Sequence, residues 1–182
     1  MLPLAACGFQ PLYGPRDGAD GVSAELAAIR IEPLRDRVGQ QMHNFLRDRL
    51  NPNGQPVSPS YNLRLSLTEV LSELGVRRDE TATRANLKLT ANFSLLESGQ
   101  AEPLLTGRST STTSYDILEN PFATTISERN ARERALREVA DDIQTRLAVY
   151  YEFWFNLRLL VEFIFIDEKL QNASSCTPVV LC

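Results

Sequence analysis

The sequence predicts an α+β two-layer sandwich, with two helices packed on one face of a mostly antiparallel sheet in the order β-α-β-β-β-α. Three observations lead there. Two runs alternate apolar and polar residues at period two. Two other segments repeat apolar residues at three- and four-residue steps. The consecutive long strands are joined by turn-rich stretches, which makes them antiparallel neighbours.

The elements follow in order. Residues 1–24 lack periodicity, and Gly14, Pro15, Gly18 and Gly21 give a turn-rich lead-in. "AAIRIEPL" offers a short strand around Ile29 and Ile31, closed by Pro33. From about Leu34 to Leu50, Val38, Met42, Phe45, Leu46 and Leu50 form one helical stripe, and the prolines and Gly54 of "NPNGQPVSP" end it. In the next run Tyr61, Leu63, Leu65 and Leu67 share one strand face. Its alternation breaks at Glu69 and Val70, which predicts a bulge or strong twist there. "ELGVRRDETAT" connects it to a second strand with Ala85, Leu87, Leu89, Ala91, Phe93 and Leu95 on its buried face. After the turn "ESGQAEP", the third strand, "LLTGRSTSTTSYD" (104–116), is almost all Ser and Thr and is expected to bury little. Two readings stay open for it: a solvated edge strand, or a strand whose two faces meet polar surroundings or a partner.

Asn120 and Pro121 mark a helix start, and Thr125 with Glu128 offers a second one as a capping box. Ala131, Ala135, Leu136, Val139, Ile143 and Leu147 carry the stripe to about Tyr150. Apolar density then jumps in "YEFWFNLRLLVEFIFI" (151–166), where Glu152, Arg158 and Glu162 make a poor membrane-spanning helix. An extra strand, a membrane-surface helix and a segment foreign to the domain, as from a shifted frame, are the three readings. The abrupt change of composition favours the last.

A chain of 182 residues with 43% hydrophobic content can bury one core without disulfides or metals. Its net charge of -4 gives no bulk argument for nucleic acid, so an anion site would need a local patch. The single histidine, His43, fits packing or surface better than ligation. Asp141-Asp142 and Asp79-Glu80 are sequence neighbours that do not face one substrate, and they make poor acid/base pairs. No catalytic, cofactor or metal motif is visible, and the expectation is a protein that is not an enzyme and holds neither metal nor cofactor. Of the three cysteines, Cys7, Cys176 and Cys182, the last two could close a small loop in an oxidising compartment.

Leu4-Ala5-Ala6-Cys7 matches the bacterial lipobox, in which an aliphatic and two small residues precede the cysteine that receives lipid through its sulfur. A buried cysteine near an ordinary N-terminus is the other reading, because the basic and hydrophobic parts of a signal peptide do not precede it. The next residues weigh on this choice. "ACGFQPLYG", "IRIEPLRDRVGQQMHNFLRDRLNP", "YNLRLSLTEV" and "NPFATTISERNARERALREVADDIQTRL" together resemble the alphaproteobacterial form of LptE, a family of Gram-negative lipopolysaccharide-assembly lipoproteins.

The resemblance covers about residues 7–150 and carries specific implications. It implies residues 1–6 as a signal remnant, 7–24 as a lipidated N-terminus and linker, and 25–150 as the family domain, with 151–182 an atypical tail. It implies Cys7 as the anchor, acylated by chains such as palmitate, at the periplasmic face of the outer membrane. It implies a heterodimer with the LptD β-barrel, which the domain plugs and helps to assemble, and a part in delivering lipopolysaccharide. Gly8, rather than aspartate, follows the cysteine and agrees with outer-membrane sorting.

Lipopolysaccharide carries phosphates and carboxylates, so Arg77, Arg78, Arg84 and Lys88 are its candidate contacts, with Arg64 and Arg108 as neighbours. A solvated strand face is the plainer reading of the same charges. A periplasmic glycolipid-binding module without a barrel is the alternative function. An RNA-binding sheet would need paired aromatics that the polar face does not offer.

Overall fold

The computed structural model describes residues 21–76 and 82–173, with 155–173 described by their backbone. The order is α1 (Val22–Ala27), β1 (Ile29–Ile31), α2 (Arg37–Leu50), β2 (Tyr61–Val76), β3 (Ala82–Glu97), β4 (Pro103–Asp116) and α3 (Pro121–Ala173). The sheet has spatial order β1-β2-β3-β4. β1 runs parallel to β2, and the other neighbours are antiparallel. The α+β sandwich expected from periodicity is the observed architecture, with α1 added.

α1 falls partly in the segment that lacks periodicity. Six residues are too few to show a repeat, and only Val22 and Leu26 are buried. α2 starts three residues later than its apolar stripe suggests. Asp36 is the N-cap, accepting from the Gly39 N–H at 2.5 Å, and Leu34 lies against Gly39 before the helix begins. At the other end Asn51 ties α2 to the sheet, its amide donating to the carbonyls of Ala27 (3.0 Å) and Ile29 (3.1 Å).

The core lies between the sheet and the helices. Ile29, Ile31, Leu63, Leu87, Leu89 and Leu95 meet Met42 and Leu46 of α2 and Leu136, Ile143 and Leu147 of α3. Fully burying each such side chain contributes about 1.5–3 kcal/mol. Phe93 lies across β4, where Gly107 leaves room for its ring; a Cβ at Gly107 would stand 2.4 Å from it.

Three expectations are corrected. No bulge occurs at Glu69 and Val70: Glu69 pairs with Leu89 and Val70 with Lys88 in unbroken register. The register shift lies between Leu95 and Leu96, against β4. The apolar pattern breaks because Glu69 keeps an inward position and forms a two-pronged ion pair with Arg132 of α3 (2.7 and 2.8 Å), while Glu128 accepts from the same guanidinium at 2.6 Å.

The second correction concerns β4. It is an edge strand, but its inner face is covered: Ser109, Ser111 and Thr113 are buried under α3. Thr113 donates to the Ala131 carbonyl (3.0 Å) and Ser111 to Glu138 (2.5 Å). Ala131 and Ala135 let the helix approach, and small hydroxyl residues fit the space that remains. The third correction is at the C-terminal end. α3 starts where expected, at Pro121 with Asn120 accepting from the Phe122 N–H (2.9 Å), but its backbone runs past the expected end near Tyr150 to Ala173, which removes the extra-strand reading.

Candidate functional site

Among the described residues, the helices cover one sheet face and leave the other bare. Cross-strand register lines up the bare face in rows: Arg64–Ser94–Thr106, Ser66–Asn92–Arg108, Thr68–Thr90–Thr110, Val70–Lys88–Thr112, Ser72–Asn86–Ser114 and Leu74–Arg84–Asp116. Almost every position is a hydroxyl, an amide or a cation. Alternation produces this, because along most of each strand these residues alternate with residues that face the helices.

Short bonds cross the strands. Arg108 donates to Asn92 Oδ1 (2.9 Å), Ser114 to Asn86 Oδ1 (2.7 Å), and the Thr90 and Thr110 hydroxyls lie 3.3 Å apart. Arg64 pairs with Glu32 at 2.8 Å and Arg84 with Asp116 at 3.1 Å. A shallow groove of about 720 Å³ runs between Arg64 and Arg108, floored by Ser66, Asn92, Ser94 and Thr106.

The cations Arg30, Arg64, Arg84, Lys88 and Arg108 outnumber the carboxylates Glu32 and Asp116 on this side of the sheet. The local surface is therefore basic on an acidic chain. Of the four candidate lipopolysaccharide contacts, Arg84 and Lys88 share this face. Arg84 is already paired, while Lys88 is exposed with no partner among the described residues. Arg77 and Arg78 lie outside the described residues, as do Cys7, Cys176 and Cys182. Arg64 and Arg108 form a second basic group, separated from Lys88 by the threonine row.

One of the two carboxylate pairs is accounted for by structure. Asp141 holds Arg49 at 2.5 Å and Asp142 holds Arg146 at 2.9 Å; Asp79 and Glu80 lie outside the described residues. His43 has its Nε2 3.3 Å from Gln55 and its Nδ1 buried without a partner among the described residues. Burial first, and Arg47 second, hold its pKa below the ordinary 6.5. Among the described residues no group of three His, Cys, Asp or Glu side chains could hold a metal ion.

Composition and periodicity do not announce the exposed apolar residues toward the end of the β2–β3 hairpin. Val70, Leu71 and Leu74 stand there, with Leu118 and Phe122 near the start of α3. The break in alternation was the available signal, since it moved leucines onto both strand faces beyond the helix layer.

Comparison with known proteins bears on the same domain. A family model described as LptE, lipopolysaccharide-assembly, matches residues 25–147. An uncharacterized protein of Rickettsia prowazekii is 22% identical over 148 residues, covering 81% of this chain and 90% of that one. Among solved structures, a candidate lipoprotein from Caulobacter crescentus superposes with TM-score 0.59 at 25% identity, covering 71% of this chain and 94% of that one. The rare lipoprotein B of Shewanella oneidensis shares the fold with TM-score 0.53 at 17% identity, covering 71% and 96%.

Proposed function

The chain belongs to the LptE family of lipopolysaccharide-assembly proteins, and from that premise we propose that it is an outer-membrane lipoprotein that plugs and helps assemble the LptD β-barrel. A part in lipopolysaccharide assembly, without an enzymatic step, comes with the family. The barrel partner, the anchor and the lipid contacts are the reading developed here.

One observation carries it: a sheet face lined mostly by hydroxyls, amides and a few cations, with no helix among the described residues over it. A barrel lumen is polar, and such groups bond to lumen side chains and trapped water without demanding a fixed charge pattern. Burial of that face would give an interface large enough for an obligate pair. Cys7, in Leu-Ala-Ala-Cys, supplies the acyl anchor and the periplasmic orientation. The anchor reading agrees with the lipoprotein descriptions of the structural neighbours.

Lipopolysaccharide would meet the basic end of the same face, through Arg84 and Lys88 with Arg77 and Arg78. The exposed Lys88 ammonium also suits the second reading, a module that binds anionic glycolipid without a barrel. Co-expression with LptD and purification in detergent separates the two. The plug reading expects a one-to-one complex; recovery of this chain alone at every expression ratio contradicts it. Intact mass of the full-length product tests Cys7, which should carry a diacylglyceryl adduct.

A further inference from the structure

The end of the domain where the described chain begins carries an aromatic collar. Tyr61 of β2 lies edge-on to Tyr151 of α3 (5.4 Å between ring centres), Tyr151 to Tyr150 (5.4 Å), and Tyr150 to Trp154 (6.2 Å). The collar does not close into the core on its outer side. Phe153 is 65% exposed and Trp154 52%, with Val149 exposed beside them. α1 packs on α3 here and brings the Glu25 carboxylate toward the Tyr61 phenol. The backbone of α3 continues as helix through the apolar stretch "FNLRLLVEFIFI". Even so, no helix among the described residues is long and apolar enough to cross a membrane.

We propose that this collar, Phe153 and Trp154 foremost, seats the domain on the surface of a phospholipid bilayer. Rings with one apolar side and one polar atom are favoured at the boundary between headgroups and acyl chains. A helix that is apolar but not spanning suits that boundary better than the bilayer centre.

The occupant follows from the anchor, and in this the proposal rests on the reading of Cys7. Cys7 stands 14 residues before Gly21. That length of chain reaches at most about 50 Å. It enters the fold at the collar, so the end tied to the lipid is the end that presents the aromatics. Glu97 is the cross-strand partner of Tyr61, Glu25 stands on the adjoining α1, and burial with these carboxylates pushes the Tyr61 phenol upward. The rim is thus acidic, and the surface it fits is zwitterionic rather than anionic.

Trp154 is the only tryptophan in the chain, so its emission reports this site alone. The test uses the full chain with Cys7→Ala, which carries no acyl group, and phosphatidylcholine vesicles. Trp154 emission should shift to the blue and be quenched by lipids brominated near the headgroup. Phe153→Ser should weaken vesicle partition about tenfold, while Phe122→Ser, 73% exposed at the other end, should leave it unchanged. Replacing part of the lipid with phosphatidylglycerol should weaken binding at low salt.

Emission insensitive to vesicles overturns the proposal. So do equal losses from the Phe153 and Phe122 variants, or a blue shift that follows protein concentration without lipid, which marks self-association. Because the test chain lacks the acyl group, failure here is distinct from failure of the anchor, which the mass of the unaltered product decides.

Discussion

Glu69 stands where strand periodicity asks for an apolar side chain, and Arg132 makes that position tenable. The pair is mostly shielded, each side chain about 22% exposed, and Glu69 is the first cause of the raised Arg132 pKa. Arg132→Ala should cost about 1–3 kcal/mol in denaturant unfolding, since it strands a half-buried carboxylate. Adding Glu69→Ala should cost less than the sum of the singles; strict additivity would mean that the two groups act apart. Gly107 makes a steric claim: Gly107→Ala puts a Cβ against the Phe93 ring and should destabilise by about 1–3 kcal/mol. His43 makes a claim about pH. Its pKa is lowered in the folded chain, so below about 6.5 the unfolded chain takes up the proton more readily and stability falls as pH drops. His43→Gln should flatten that part of the stability profile, and an unchanged slope would contradict the assignment.

Among the elements, β4 was the hardest to read from sequence, and the reason is physical. Hydrophobic patterning reports burial only where the buried residue is apolar, and under α3 the available space suits Ser and Thr. β3 was legible residue by residue, because leucines and alanines fill its inner face. The helical stripes of α2 and α3 were equally plain, while the start of α2 depended on an aspartate cap that periodicity does not register. The candidate face was legible as composition, through the polar half of each alternation. Its pairings, Arg84 with Asp116 and Arg108 with Asn92, needed the register and were not. One prediction belongs to β4. Ser111→Leu should destabilise by about 1–3 kcal/mol by overfilling the space under α3, whereas Thr112→Leu, one residue on and facing out, should stay within about 0.5 kcal/mol. Equal effects would mean that the two faces of the strand are not distinguished by packing.

At the scale of the molecule, the fold sorts its surfaces. Helices take one face, polar rows the other, exposed aliphatics the hairpin end and aromatics the end where the chain enters. The proposed function would use these surfaces as a lumen-facing side, a membrane-facing end and a basic region for an anionic glycolipid. Lys88→Gln should weaken lipopolysaccharide binding more than Arg84→Gln, because Arg84 already spends part of its charge on Asp116, and both losses should shrink as salt rises. Equal, salt-independent binding would remove these residues from the lipid's path. In the proposed function the bare sheet face lies against the barrel. A photo-crosslinking residue at Thr110, exposed in the middle of that face, tests it most directly in intact cells. The account predicts a covalent adduct with LptD. Irradiation that yields no such adduct, while the two proteins are recovered as a complex, would contradict it.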